Sequence, residues 1–217
     1  MPLSPHSFLL SMGLFTFVAG LGGCATSQSA SPSASSPAEP PAAQTLKPSP
    51  AELEKRCAAG RAESCYERGR LHWHETSVEK EDGLAAPWLD KACQAGDARG
   101  CIDLGLLRAE GSGVPQDNSL AAKLFDKACT LGLPMGCSNL GTLYVAGRGV
   151  EQDDVRAIRL FEKACEANEA GACFTLGIFY AKGRTVKANP KRAAELFHQA
   201  CQGGVKEACG PSSGGAN

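Results

Sequence analysis

The chain has 217 residues, 43% of them apolar, a formal net charge of −1 and 11 cysteines. That length allows one or two domains with a real core. Mixed charge close to neutrality excludes the basic footprint of a nucleic-acid-binding protein, and the odd, high cysteine count becomes the number to explain.

The first element in chain order is residues 8–23, FLLSMGLFTFVAGLGG, an apolar run of 16. A membrane-spanning helix needs about 20 such residues, so the run has the size of the apolar region of a secretory signal. It ends in LGGC, residues 21–24, which resembles a bacterial lipobox, although the leading MPLSPHS carries no Lys or Arg. The resemblance implies a signal peptide over residues 1–23, a lipid on Cys24 that holds the protein at a membrane, and export. The expected place is the periplasm or outer membrane, or alternatively the medium; in all of them disulfides persist. Residues 25–49 are mostly Ser, Ala and Pro. They lack the apolar bulk to offset their ordering entropy, so residues 24–49 are expected to be a disordered tether reaching about 25–30 Å.

From residue 50 onward the cysteines recur at a fixed interval. Cys57, Cys93, Cys129, Cys165 and Cys201 stand 36 residues apart, and each is followed eight residues later by Cys65, Cys101, Cys137, Cys173 and Cys209. A period of this size means stacked supersecondary units. Four residues before each first cysteine sit Leu53, Leu89, Phe125, Phe161 and Phe197, and immediately before it Ala92, Ala128, Ala164 and Ala200, with Arg56 in the first unit. Apolar positions three and four apart make one face of a helix, for example residues 153 to about 167. Three residues after the first cysteine come Gly60, Gly96, Gly132, Asn168 and Gly204, the residue types that close a helix in the left-handed conformation.

A second helix then follows. It carries Cys173, Leu176 and Phe179 on one face, with Leu104/Leu107 and Leu140/Leu143 as equivalents, and it ends at the turns beginning with Gly111, Gly147 and Gly183. Asp117 and Asp153 are the expected caps of the next first helices. Along one continuous helix the paired cysteines would lie about 12 Å apart. Two antiparallel helices bring them opposite each other, and a bridge between them becomes feasible. Closing a loop of about nine residues is worth roughly 2.6 kcal/mol in the chain-entropy treatment. Glycines inside the second helix (Gly69, Gly105, Gly141, Gly177) cost about 1 kcal/mol each against alanine and are read as places where a neighbouring helix approaches closely.

The segment AAKLFDKACTLGLPMGCSNLGTLYVAGRGVEQDDVRA, residues 121–157, resembles a Sel-like repeat, the 36-residue relative of the tetratricopeptide repeat. The cysteine pair in each unit is similar to that of the cysteine-rich Sel-like repeat proteins of Helicobacter. The resemblance covers residues 49–209. It implies an all-α fold, an α/α solenoid with units at about 49–84, 85–120, 121–156, 157–192 and 193–209, followed by a disordered tail over 210–217. It also implies one disulfide per repeat: Cys57–Cys65, Cys93–Cys101, Cys129–Cys137, Cys165–Cys173 and Cys201–Cys209. The first repeat has HETSV at residues 74–78 in place of turn glycines, and the fifth ends soon after Cys209 with its second helix reduced to a stub; both read as caps.

Other chemistries fit less well. Zinc sites favour cysteines two to four residues apart, in fours with histidine, and no C-x-x-C redox pair is present. His72 and His74 would point about 200° apart on a helix; His72 shares the column of Tyr144 and Tyr180 and reads as a packed aromatic substitute. The resemblance allows β-lactam binding or weak β-lactamase activity as an alternative function. Of the serine β-lactamase motifs, however, only the first has a match, SVEK at Ser77–Lys80, without S-D-N or K-T-G. No catalytic residue, metal or cofactor is therefore expected.

The expected function is a monomeric cell-envelope scaffold that binds a protein or a peptide, including one derived from the cell wall. Its expected contact surface is the face of the first helices. There Glu54-Lys55, Asp90-Lys91, Asp126-Lys127 and Glu162-Lys163 recur. In solenoids of this kind that face is concave, which places Lys91, Lys127 and Lys163 in a ladder with steps of about 10 Å.

Overall fold

The computed structural model describes residues 47–74 and 82–210. Its elements are α1 (Pro50–Ala58), α2 (Ala62–His74), α3 (Asp82–Gln94), α4 (Ala98–Glu110), α5 (Asn118–Thr130), α6 (Pro134–Ala146), α7 (Asp154–Glu166), α8 (Ala170–Lys182) and α9 (Pro190–Gln202), followed by a 3₁₀ turn, Lys206–Cys209. Odd-numbered helices are the first helices of the repeats and even-numbered ones the second. The expected solenoid of helix pairs is the fold, and the fifth repeat does end in a stub.

Local chemistry sets the boundaries. The Asp117 carboxylate accepts from the Leu120 N–H at 2.9 Å, and Asp153 accepts from Arg156 N–H at 2.9 Å. Asp97 and Asn189 cap α4 and α9 in the same way. Each first helix closes on a left-handed residue: Gly60, Gly96, Gly132, Asn168 (φ 62°) or Gly204. In the third repeat the Gly132 N–H donates to the Cys129 carbonyl at 3.2 Å and the Leu133 N–H to the Ala128 carbonyl at 3.0 Å. This pair of bonds is the Schellman closure, and it reverses the chain between the two cysteines.

The reversal places each cysteine pair at bonding distance. All five disulfides expected from the repeat are present, with Cα–Cα separations of 4.6 to 4.9 Å. Helices that close need small residues, and the position before each second cysteine holds Ser64, Gly100, Gly136, Ala172 and Ala208. A Cβ on Gly136 would lie 2.6 Å from the Cys129 backbone nitrogen.

Between repeats the contact is a ring against a glycine. A Cβ on Gly105 would meet the Phe125 ring at 2.5 Å, one on Gly141 the Phe161 ring at 3.0 Å, and one on Gly177 the Phe197 ring at 2.7 Å. The glycine column of the second helices is thus the seat for the Phe or Leu column of the next first helix. Leu89, Phe125 and Phe161 are 2% exposed or less, and each is worth about 1.5–3 kcal/mol of burial.

A candidate binding face on the first helices

The lysine column expected to meet a partner lies at the seam between successive first helices. Lys163 Nζ on α7 reaches back to α5, 3.4 Å from the Cys129 carbonyl oxygen and 3.5 Å from its sulfur. Gln199 occupies the same column on α9, and its Nε2 donates to the Cys165 carbonyl at 3.2 Å. Each of these carbonyls already accepts the Schellman N–H, so the side chain takes the second lone pair. A cation at the end of a helix also complements its dipole. Lys91 Nζ sits 4.5 Å from the centroid of the Trp88 ring, with the Arg68 guanidinium 5.3 Å from the same ring. Lys127 is exposed. Lys91 and Lys163 therefore hold intramolecular contacts, which the one-dimensional pattern did not reveal.

One groove runs between the first helices α3 and α5, floored by α4. The α3/α5 groove holds about 370 Å³, with Ala86, Pro87 and Asp90 on one wall, Leu120 and Leu124 on the other, and Leu104 and Arg108 below. Arg108 donates from Nη1 to the Pro115 carbonyl at 3.3 Å, while its Nε is buried without a hydrogen-bond partner. One repeat further along, a more polar cavity of about 400 Å³ is lined by Tyr144, Val150, Glu151, Gln152, Asp153 and Arg156, without a residue from α5. Arg156 Nη1 donates to the Tyr144 hydroxyl at 3.4 Å and its Nε pairs with Asp153 at 3.3 Å. The Tyr144 hydrogen bond raises the arginine's already high pKa further.

Arg108 and Tyr144 are one column. It runs His72, Arg108, Tyr144, Tyr180, all half-buried, with His72 against Arg68. His72 is thus packed, as the column suggested, but the column as a whole forms a row of polar side chains at the groove floor. The signal was available in the sequence only in part: the column reads His, Arg, Tyr and Tyr, each able to donate a hydrogen bond, which is not an ordinary core column. The α3/α5 groove pairs apolar walls with the Arg108 donor, which suits carbonyl or carboxylate groups of an extended chain.

Two further features flank this face. A cavity of about 580 Å³ opens at the first repeat among Lys47, Leu53, Arg56, Glu63, Glu67 and Arg70. Arg56 fills the otherwise alanine column there, exposed and paired with Glu52 at 2.8 Å; the carboxylate is held below its usual range by that bond. Between α2 and α4 the Arg99 guanidinium lies 4.2 Å from the Tyr66 ring centroid. Burial, and secondly the Asp103 carboxylate, push the Tyr66 hydroxyl up to about 12.

Among the described residues no group of His, Cys, Asp and Glu could hold a metal ion, and no helix is long and apolar enough to cross a membrane. The expected lipidation site Cys24, the signal, the tether up to residue 46, the Ser77–Lys80 motif and residues 211–217 lie outside the described residues.

A family model described as the Sel1 repeat matches residues 62–97, 98–133, 134–169 and 170–205. Its units start at the second helices, later than the units of the cysteine-based frame. Among solved structures, a Sel1 repeat protein from Oxalobacter formigenes is similar at 26% identity and a TM-score of 0.67, over 73% of this chain and 65% of that one. The protective antigen c5321 of uropathogenic Escherichia coli, which displays an SLR fold, is similar at 27% identity and a TM-score of 0.69, over 75% of this chain and 35% of that one. This chain thus spans less than two thirds of the length of both. Helicobacter pylori cysteine-rich protein B is 30% identical over 61% of this chain and 96% of that one, at a TM-score of 0.49. No curated protein matches the chain.

Proposed function

Because this chain belongs to the Sel1 repeat family, we propose that it is a binding scaffold of the bacterial cell envelope, and that it holds an extended segment of a protein or peptide partner along its first helices. The observation that carries the reading is the α3/α5 groove, with Ala86, Leu120 and Leu124 on its walls and Arg108 on its floor, together with the recurrence of a half-buried polar side chain at that column every 36 residues (His72, Arg108, Tyr144, Tyr180). Adjacent helices sit about 10 Å apart and a polyproline II segment has three residues per turn at about 3.1 Å each, so successive positions of this column match about every third side chain of a segment bound in that form. Lys127 and the rims at Lys91 and Lys163 make acidic segments the favoured class. The disulfides support an oxidising compartment, and an acylated Cys24 followed by the Ser/Ala/Pro tether would hold the solenoid near a membrane.

Fluorescence anisotropy with acidic decapeptides tests this reading. Reversing Lys91, Lys127 and Lys163 to Glu together should weaken binding at least about tenfold, or 1.4 kcal/mol, because exposed single charges contribute only about 0–1 kcal/mol each. The remaining affinity should depend less on salt. Equal binding by the triple variant and the wild type would move the site elsewhere, to the turns at Gly111, Gly147 and Gly183.

A further inference from the structure

The five disulfides are chemically unequal. Cys57, Cys65, Cys93, Cys101, Cys129, Cys137, Cys165 and Cys173 are each at most 6% exposed. In the fifth repeat Cys201 is half-buried and Cys209 exposed. The cause is the fold: the second member of that pair sits in a 3₁₀ turn of four residues, Lys206–Cys209, where every other repeat has a full second helix. Thiol–disulfide exchange needs a thiolate to reach a sulfur, so access decides which bond reacts.

We propose that Cys201–Cys209 is an exchange site for thiols from solution, while the other four bonds are structural. A thiolate attacks Cys209 Sγ and forms a mixed disulfide with it. The Cys201–Cys209 bond breaks, and its electron pair leaves on Cys201 Sγ, which is then protonated from water. A second thiol attacks the mixed disulfide and releases Cys209 as a thiolate, so two thiols become one disulfide and the protein gains a dithiol. The turn is then held by the Val205 N–H to the Ala200 carbonyl at 3.0 Å, the Ala208 N–H to Val205 at 3.1 Å and the buried Ala208 methyl. Opening the bond therefore leaves the turn in place against α9 and does not disturb the repeats before it.

A rival prediction comes from electrostatics alone. Lys163 Nζ lies 3.5 Å from Cys129 Sγ, and a cation beside a sulfur stabilises it as a leaving thiolate. If charge decided, Cys129–Cys137 would open first.

The test treats the folded full chain with glutathione, without denaturant, quenches with N-ethylmaleimide and maps the peptides by mass spectrometry. The expected result is a glutathione adduct on Cys209 and maleimide on Cys201, at least about 100-fold faster than labelling at any of the eight buried cysteines, which wait on local opening. With dithiothreitol in place of glutathione, both Cys201 and Cys209 should carry maleimide. First labelling at Cys129 or Cys137, comparable rates at several bonds, or no labelling before unfolding would overturn the proposal. An adduct on Cys201 would overturn the direction of attack. The double variant Cys201→Ser/Cys209→Ser should keep its helical circular dichroism and take up no glutathione; uptake by this folded variant would also refute the assignment.

Discussion

Replacing Gly105 by alanine sets two physical effects against each other in one methyl group. Within a helix, alanine is favoured over glycine by about 1 kcal/mol. Here the new Cβ would lie 2.5, 2.9 and 3.1 Å from three carbons of the Phe125 ring, where carbons rest at about 3.5–4.0 Å. Phe125 is only 2% exposed, so the ring cannot swing into solvent, and the repeats must part. Overpacking of this kind costs about 1–3 kcal/mol. The severity of the overlap places it near the upper end, for a net loss of about 1–2 kcal/mol once propensity is subtracted. Repeat one offers the remedy, since Leu89 faces Gly69 with the nearest atom at 3.0 Å. Phe125→Leu should therefore be harmful alone and partly restorative beside Gly105→Ala, with a coupling of at least about 1 kcal/mol in a double-mutant cycle. Urea melts with the disulfides intact measure all four proteins. A higher midpoint for Gly105→Ala, or additive effects within about 0.5 kcal/mol, would refute the claim that this column exists for the ring.

Three other outcomes follow from separate features. Thr185 holds φ of 66° where the neighbouring repeats have Gly113 and Gly149. Relief of a left-handed β-branched residue, about 1–2 kcal/mol, outweighs loss of the 3.2 Å bond from its hydroxyl to Asp154, so Thr185→Gly should raise stability by about 0.5–1 kcal/mol in thermal melts. Tyr66 ionises near 12 in the fold against about 10 unfolded. Its raised value contributes stability that is complete below pH 10 and is lost as pH climbs towards 12. Absorbance titration of the folded protein at alkaline pH should show one of its three tyrosines ionising late, and Tyr66→Phe should remove that step. Finally, Cys24→Ser should shift the protein from membrane to soluble fractions; unchanged fractionation would reject the lipid anchor and leave the solenoid intact.

Much of the architecture was legible because a repeat restates each constraint several times. The left-handed closing residue was readable from Gly60, Gly96 and Gly132, and the lone substitute Asn168 confirms the conformation at φ of 62°. The caps at Asp117 and Asp153 and the cysteine pairs followed from the same register. What escaped the sequence depends on how one repeat sits on the next. The reach of Lys163 back to Cys129 spans 34 residues, an offset that is neither the period nor a helical step, and it is fixed only by the rotation between units. The small-residue column at Ser64, Gly100, Gly136, Ala172 and Ala208 could have been read, since a disulfide between helix ends requires close backbones. The groove floor was half legible: His72 was seen to share a column with Tyr144 and Tyr180, but Arg108 breaks the aromatic pattern and hides the row.

The bridges never cross from one repeat to the next; each spans eight residues within its own unit. Under a pulling force, then, the joints between units are purely non-covalent while each staple survives. Of the 36 residue-to-residue steps in a unit, the eight from one bridged cysteine to the other are short-circuited, leaving 28 to extend, about 95 Å at full stretch against about 125 Å without the bridge. A chain held at one end and loaded at the other would lengthen in equal increments of the shorter size. Opening the exposed Cys201–Cys209 bond would add about 28 Å of slack without releasing any earlier unit, so compliance would change in the fifth repeat alone.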